Sequence, residues 1–196
     1  RDIGVTGVQT CALPISVVRQ AAKVTMPPEE AATRAVEAMR DVLRAEYEQA
    51  AQAGHSLLLV DRLLAIGKES EDPMSRFAAL AEAERLALQD QRLDAVVECI
   101  RERARTFECD AVVAQRAAVK AMAEGGNLWN PRLAHEALFL AYTSLDSGEL
   151  DLAEDALALA RQVADAVESQ AVAKKLREEV DAAASRLLRR REHMRP

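Results

Sequence analysis

Apolar residues recur at intervals of three and four positions along most of this chain. The clearest stripe lies in the middle of the sequence and contains Leu93, Val96, Val97, Ile100, Ala104 and Phe107. This spacing places all six side chains on one face of an α-helix. Helix breakers are scarce, with 7 glycines and 6 prolines among 196 residues. The pattern predicts an all-α protein and excludes an all-β sandwich, a collagen-like chain and a disulfide scaffold.

Length and charge narrow the class of protein further. A chain of 196 residues suits a single domain. Its net charge of −6 disfavours a nucleic-acid partner, because phosphate binding requires a surplus of lysine and arginine. No run of about 18 apolar residues occurs, so the sequence predicts no transmembrane helix.

Helix caps and breaks divide the chain into eight predicted helices. Asp72-Pro73 and Asn130-Pro131 each combine an N-cap residue with proline at the first helical position. Asp110 is a further predicted N-cap, and Gly148 ends a helix. The predicted helices span residues 28–53, 56–69, 73–89, 93–107, 111–124, 131–147 and 150–167, and the eighth runs from about residue 169 into the basic run RLLRRREHMRP. Short connections between helices predict antiparallel neighbours. We therefore predict a lead-in over residues 17–27, a helical repeat domain over 28–191 and a tail over 192–196.

Residues 1–16, RDIGVTGVQTCALPIS, differ in composition from everything that follows. The eleven residues VTGVQTCALPI (5–15) resemble the translation of a common short-read sequencing adapter. We interpret residues 1–16 as an adapter-derived artefact, and the alternative is an extended N-terminal arm. The interpretation excludes Cys11 from any functional argument, and it predicts that the chain is a fragment of a longer protein whose true N-terminus is missing.

One pair of predicted helices, 131–147 and 150–167, resembles a tetratricopeptide repeat. The residues that carry the resemblance are Leu140, Ala141, Gly148, Ala153, Leu157 and Ala160. Ala137, Ser144 and Asp165 depart from the residue types that the family usually has at those positions. A weaker pair surrounds Asp90 and Ala95; Ala95 lies 58 residues before Ala153 (153 − 95), which is not a multiple of the family's period of about 34. The resemblance implies an array of antiparallel helical hairpins of irregular period, that is, a tetratricopeptide-like α-solenoid.

A second resemblance covers the segments RDVLRAEYEQA (40–50) and 75–110. Both segments are similar to an uncharacterised all-helical region of large planctomycete-type bacterial proteins. That resemblance implies an extracytoplasmic, periplasmic location. It transfers no functional residues, because no activity is established for the region.

Candidate catalytic and metal-binding residues do not form a recognised pattern. His135-Glu136 begins an HExxH motif, but Phe139 occupies the position of the second histidine, so a zinc site is not predicted. Cys99 and Cys109 are interpreted as small buried hydrophobic residues rather than nucleophiles, and Cys109 is expected to be the more exposed. The acidic pairs are interpreted as solvated helix faces: Glu82 and Glu84, Asp151, Glu154 and Asp155, and Glu178 and Glu179. We predict no catalytic residue, no cofactor and no metal.

Three residues are candidate contacts with a partner. Tyr142 and Arg76 are expected near a concave face built from the first helices of each pair. Trp129, the only tryptophan, is either an aromatic anchor for a partner or, together with Leu128, an apolar staple over the following helix; we favour the staple.

The C-terminal helix offers two further alternatives. Its arginines either contact nucleic acid or anionic lipid or complement the end of the helix, and the second interpretation is favoured; they are Arg186, Arg189, Arg190, Arg191 and Arg195. Apolar residues also recur at intervals of three and four along this helix, at Ala173, Leu176, Val180, Ala183 and Leu187. We interpret this stripe as the inner face of a closing helix; the alternative is a contact surface for a partner helix.

These observations predict a non-catalytic helical scaffold that binds a protein or peptide. The alternative is a regulatory or spacer region of a larger enzyme or sensor whose chemistry lies outside this fragment.

Overall fold

The computed structural model describes residues 22–193, and this part of the chain is an all-α array of nine helices. The helices are α1 (Glu29–Val42), α2 (Arg44–Ala53), α3 (Leu57–Glu69), α4 (Pro73–Gln89), α5 (Leu93–Thr106), α6 (Ala111–Glu124), α7 (Pro131–Ser147), α8 (Leu150–Ala166) and α9 (Gln170–His193). A 3₁₀ turn, Asn127–Trp129, precedes α7. The prediction of an array of helical hairpins is confirmed. The residues interpreted as adapter-derived, 1–16, lie outside the described residues.

The first predicted helix is two helices, which is why the array has nine rather than eight. The chain bends at Leu43, whose backbone lies at φ −98° and ψ 24°. Leu43 is buried at 5% exposure while the preceding Val42 is 78% exposed. The bend has a packing cause, because α1 packs on α4 whereas α2 packs on α3. One straight helix could not follow both surfaces, so the prediction of a single helix over residues 28–53 is wrong.

The predicted N-caps are present. The Asp72 carboxylate accepts a hydrogen bond from the Ser75 amide at 2.8 Å, and Asp110 accepts from the Val112 amide at 2.8 Å. Asn130 Oδ1 accepts from the Arg132 amide at 3.0 Å. Each cap satisfies an amide that has no partner within its own helix, so these helices begin where the sequence predicts.

The helices share one continuous apolar core but form two groups. In the first group α3 and α5 pack on either side of α4, and α1 packs on α4 as well; in the second, α7, α8 and α9 all contact one another. The small residues Ala137, Ala141, Ala153 and Ala160 are fully buried, so α7 and α8 approach closely. The stripe on α9 is buried too, which confirms it as the inner face of a closing helix.

Helix α6 joins the two groups. It packs against α5 on one side and α7 on the other, with smaller contacts to α4 and α8. The lead-in pairs with the connection before α6, because the Val24 amide donates to the Thr106 carbonyl at 2.8 Å and the Glu108 amide donates to the Val24 carbonyl at 2.9 Å. Within residues 22–193, no helix has the length and apolar character needed to cross a bilayer.

Candidate partner-binding groove

A groove of about 530 Å³ lies between α6 and α8. These two helices touch each other only over a small area, whereas both pack against α7. Helix α7 therefore contributes to the floor, through Ala137 and Leu140, and α6 and α8 form the two walls. The size is within the range of about 300–1,000 Å³ that is usual for ligand-binding clefts.

Small side chains create this groove. Four alanines line it, Ala123 on α6, Ala137 on α7, and Ala156 and Ala158 on α8, and larger apolar residues are interspersed at Val119, Leu140 and Leu159. An alanine fills far less space than a leucine at the same position, so the surface stays open above the floor. Depressions of this kind accept the large apolar side chains of a partner.

The polar residues of the groove differ between its walls. Arg116, Lys120 and Glu124 lie on α6, and Asp155 and Gln162 lie on α8. Lys120 Nζ lies 3.8 Å from Glu124 Oε1, and both side chains are exposed. Arg116 Nη2 donates to the hydroxyl of buried Ser144 at 3.1 Å. The Nε of Arg116 is buried without a hydrogen-bond partner in the described part of the chain.

Trp129 is an exposed side chain beside these helices. Its side chain is 63% exposed, and its 3₁₀ turn packs against α6 and α8, the two walls of the groove. The neighbouring Leu128 packs against the core. The staple interpretation is therefore wrong for Trp129, since Leu128 is the one of the two that packs against the core.

Arg76 and Tyr142 do not line the groove. The guanidinium of Arg76 donates to the Ser70 carbonyl from Nη2 at 2.6 Å and to Thr106 Oγ1 from Nη1 at 3.2 Å, so it links the end of α3 to the last residue of α5. Tyr142 is half-buried on α7, with the Arg186 guanidinium 5.8 Å from its ring centroid. Both side chains are thus engaged within the molecule, and their role as partner contacts stays a prediction.

The carboxylates of Glu82 and Glu84 on α4 do not lie on a solvated helix face, so that prediction is wrong for both residues. Glu82 is only 1% exposed, and Glu84 is half-buried with Oε2 2.7 Å from Arg103 Nη1 on α5. Burial raises the pKa of Glu84, and Arg103 opposes that rise. The burial has a packing reason, since α4 is surrounded by α1, α3 and α5 and buries most of its circumference. The acidic residues of α8 are exposed, as is Glu178 on α9, while Glu179 is half-buried.

Five hydrogen bonds hold Glu82. They come from Nε and Nη2 of Arg40 at 2.9 Å each, from Nε and Nη2 of Arg85 at 2.9 and 2.7 Å, and from the hydroxyl of Tyr47 at 2.7 Å. Burial acts to raise the pKa of Glu82, but the hydrogen bonds from Arg85, Arg40 and Tyr47 outweigh it and lower that pKa to about 2. The carboxylate is therefore a structural anion with all its acceptor sites in use.

The burial of Glu82 was not predicted, although the sequence contains a pattern that indicates it. The run AALAEAERLAL has small or apolar residues on every side of the helix, which is typical of a helix buried all round. An acidic residue within such a run has little solvated surface available to it. It must then be paired with donors from neighbouring helices.

In the part of the chain that the structure describes, the cysteines and histidines do not come together in a reactive centre. Cys99 is buried, and burial, with a further contribution from Glu84, raises the pKa of its thiol to about 12. Cys109 is half-buried, so the prediction that it is the more exposed of the two is confirmed. His135 Nδ1 lies 3.6 Å from Glu179 Oε2 on α9. Among residues 22–193, no three potential metal ligands lie together.

Two arginines of the C-terminal helix bind it to the preceding hairpin. Arg186 Nη2 lies 3.2 Å from Asp146 Oδ1, and Arg191 Nη2 lies 3.0 Å from Asp151 Oδ1 and 2.7 Å from Glu154 Oε2. Arg186 and Arg191 are therefore engaged in ion pairs within the fold. Arg195 lies outside the described residues.

Comparison with protein-family models, curated proteins and solved structures finds no significant match to this chain. The groove and its chemistry are therefore the basis for any functional conclusion.

Proposed function

We propose that this chain is a non-catalytic protein-interaction module that binds an amphipathic helix in the groove between α6 and α8. The observation that supports the proposal is the alanine-rich surface between two helices that are separated above α7. A helix laid along this groove would contact α6 and α8 with its sides and α7 with its apolar face. Helix-in-groove recognition of this kind uses anchors at i, i+3 or i+4, and i+7.

The chemistry of the groove favours binding over catalysis. Its lining contains arginine, lysine, acidic residues and a glutamine, but neither histidine nor cysteine. The buried thiol of Cys99 lies on α5 with a raised pKa, so it is mostly protonated at neutral pH. A groove with apolar floor and polar rim resembles the anatomy of protein interfaces.

The exposed Trp129 supports a role in partner binding for the surface where the 3₁₀ turn meets α6 and α8. Tryptophan is enriched among the residues that dominate binding energy at interfaces. Because Trp129 is the only tryptophan, its fluorescence reports on a ligand beside α6 and α8 without a label.

The experiment that tests the proposal combines selection with a blocking variant. Amphipathic helical peptides selected by display against the full chain would be titrated while the emission of Trp129 and the peptide's anisotropy are recorded. Ala158→Phe places a large ring on the rim of the groove, and we expect it to weaken binding by about tenfold or more, equivalent to about 1.4 kcal/mol.

The matched control is Ala121→Phe, because Ala121 is exposed on α6 but does not line the groove. This control should bind as the unaltered protein does. Failure to select any peptide with a Kd below about 100 µM, or equal binding by Ala158→Phe, would contradict the proposal.

A further inference from the structure

The two walls of the groove carry opposite charges. Arg116 and Lys120 face it from α6, against a single acidic residue, Glu124, while Asp155 faces it from α8. We infer that the partner is a helix with an acidic edge that contacts α6 and a basic edge that contacts α8, on either side of an apolar stripe. This inference rests on the proposed function and specifies the chemistry of the partner.

Arg116 provides the first argument. Its guanidinium is half-buried, and within residues 22–193 no carboxylate lies within 4.0 Å of it. Its hydrogen-bond partner is the neutral hydroxyl of Ser144, and its buried Nε has none. A partly desolvated guanidinium is stabilised by a carboxylate, which its planar group of donors binds at two points. An acidic side chain on the partner would supply this missing counter-charge.

Asp155 provides the second argument. Helix α8 has four acidic residues, and three of them pair with arginines of α9: Asp151 and Glu154 with Arg191, and Asp165 with Arg177. Asp155 points to the groove instead, and in the described chain no cationic group lies within 4.0 Å of it. The acidic residues of α8 that face α9 are thus all paired with arginines. The one that faces the open groove, Asp155, is not paired within the described chain.

The length of the walls fixes the extent of the partner. Arg116 and Glu124 mark the two ends of the lining on α6 and are eight residues apart (124 − 116). This separation corresponds to about 12 Å along a helix axis, or just over two turns. A partner helix of about three turns therefore covers the groove with three apolar anchors and one or two charges on each edge.

The test uses three synthetic peptides with the same leucine stripe. One carries glutamates along one edge and lysines along the other, the second carries glutamates on both edges, and the third carries lysines on both. We expect the mixed-edge peptide to bind the full chain about tenfold more tightly than either of the others at low salt. Equal affinities for all three peptides would overturn the inference.

Variants of the protein then test the two charges directly. Arg116→Glu and Asp155→Arg should each weaken binding of the mixed-edge peptide by about tenfold, because each places like charges on opposing edges. The double variant should regain most of the affinity, since a helix reversed end to end presents its two edges exchanged. Loss without recovery in the double variant would overturn the inference.

Controls separate folding and charge from recognition. Arg189→Glu changes the net charge as Arg116→Glu does but lies on an exposed position of α9 outside the groove, so binding should be unchanged. Arg116→Gln removes the charge and keeps a donor for Ser144, and it covers the case in which Arg116→Glu fails to fold. It should weaken binding of the mixed-edge peptide, and unchanged binding would overturn the inference.

The two proposals fail differently. If Ala158→Phe weakens all three peptides and the three bind equally, the groove is the binding site but its charges do not select the partner. If Ala158→Phe weakens none of them, the groove is not the binding site, and both proposals are wrong.

Discussion

Glu82 connects three helices through one carboxylate. It lies on α4 and accepts hydrogen bonds from Arg40 on α1, from Tyr47 on α2 and from Arg85 one turn along α4. Among residues 22–193, Glu82 is the one acidic residue that is buried. The two arginines are nearly half exposed, at 45% and 48% of their side-chain surface, so they can regain water if the carboxylate is removed.

We expect Glu82→Gln to lower the free energy of unfolding by about 2 kcal/mol, because an amide cannot accept all the charge-assisted hydrogen bonds. The exposure of Arg40 and Arg85 keeps the loss below that for a fully buried pair. Urea unfolding followed by circular dichroism measures the change. The matched control is Glu154→Gln, which breaks an exposed pair with Arg191 and should cost less than about 0.5 kcal/mol. Equal losses in both variants would contradict this role for Glu82.

The same carboxylate predicts a dependence on pH. The folded pKa of Glu82 is about 2, below its ordinary value of 4.5, so its contribution to stability is present above about pH 4.5 and is lost as the pH falls towards 2. We expect the difference in unfolding free energy between the unaltered protein and Glu82→Gln to shrink steadily between pH 5 and pH 3. A difference that stays constant over that range would show that Glu82 does not titrate as described.

Glu82 and Glu84 also show where residue-level prediction stops. Their burial depends on how α1 and α5 pack against α4, and that placement follows from tertiary packing rather than from the local pattern of residues. The buried stripe of α9 and the caps at Asp72, Asp110 and Asn130 were predictable because spacing and local hydrogen bonding determine them.

At the scale of the element, α2 is the most weakly attached helix. It contains no buried residue, and its main contact is a limited one with α3. The hydroxyl of Tyr47 links α2 to α4, because it donates a hydrogen bond to the buried carboxylate of Glu82. The sequence predicted α1 and α2 as one helix because the apolar spacing continues through Leu43; only the different packing partners of the two helices separate them.

We expect the amides of α2 to exchange with deuterium faster than those of α4, because local opening requires little loss of buried surface. Tyr47→Phe removes one hydrogen bond, worth about 1 kcal/mol, and should accelerate exchange in α2 by about fivefold. Helix α8, which packs mainly against α7 and α9, serves as the internal reference and should be unaffected. Uniform acceleration along the chain would instead indicate global destabilisation.

At the scale of the whole molecule, the all-α class could be predicted from the spacing of apolar residues, but the groove could not. The alanines that line it lie on three helices and have the same identity as the alanines that pack the core, so composition cannot distinguish an open surface from a buried one. The pattern of helix pairs predicts a concave face built from the first helices of each pair. The groove instead has α6 and α8 as its walls, because α6 joins the two groups of helices and leaves a gap above α7.

That position of α6 has a mechanical consequence. One side of this helix is a wall of the groove, and the other side packs against α5 in the N-terminal group. A ligand wedged between α6 and α8 would therefore brace the joint between the two halves of the array, and the bound module would resist bending and pulling more than the free one. The helix that joins the two groups and the helix that contacts the partner would be the same fourteen-residue segment.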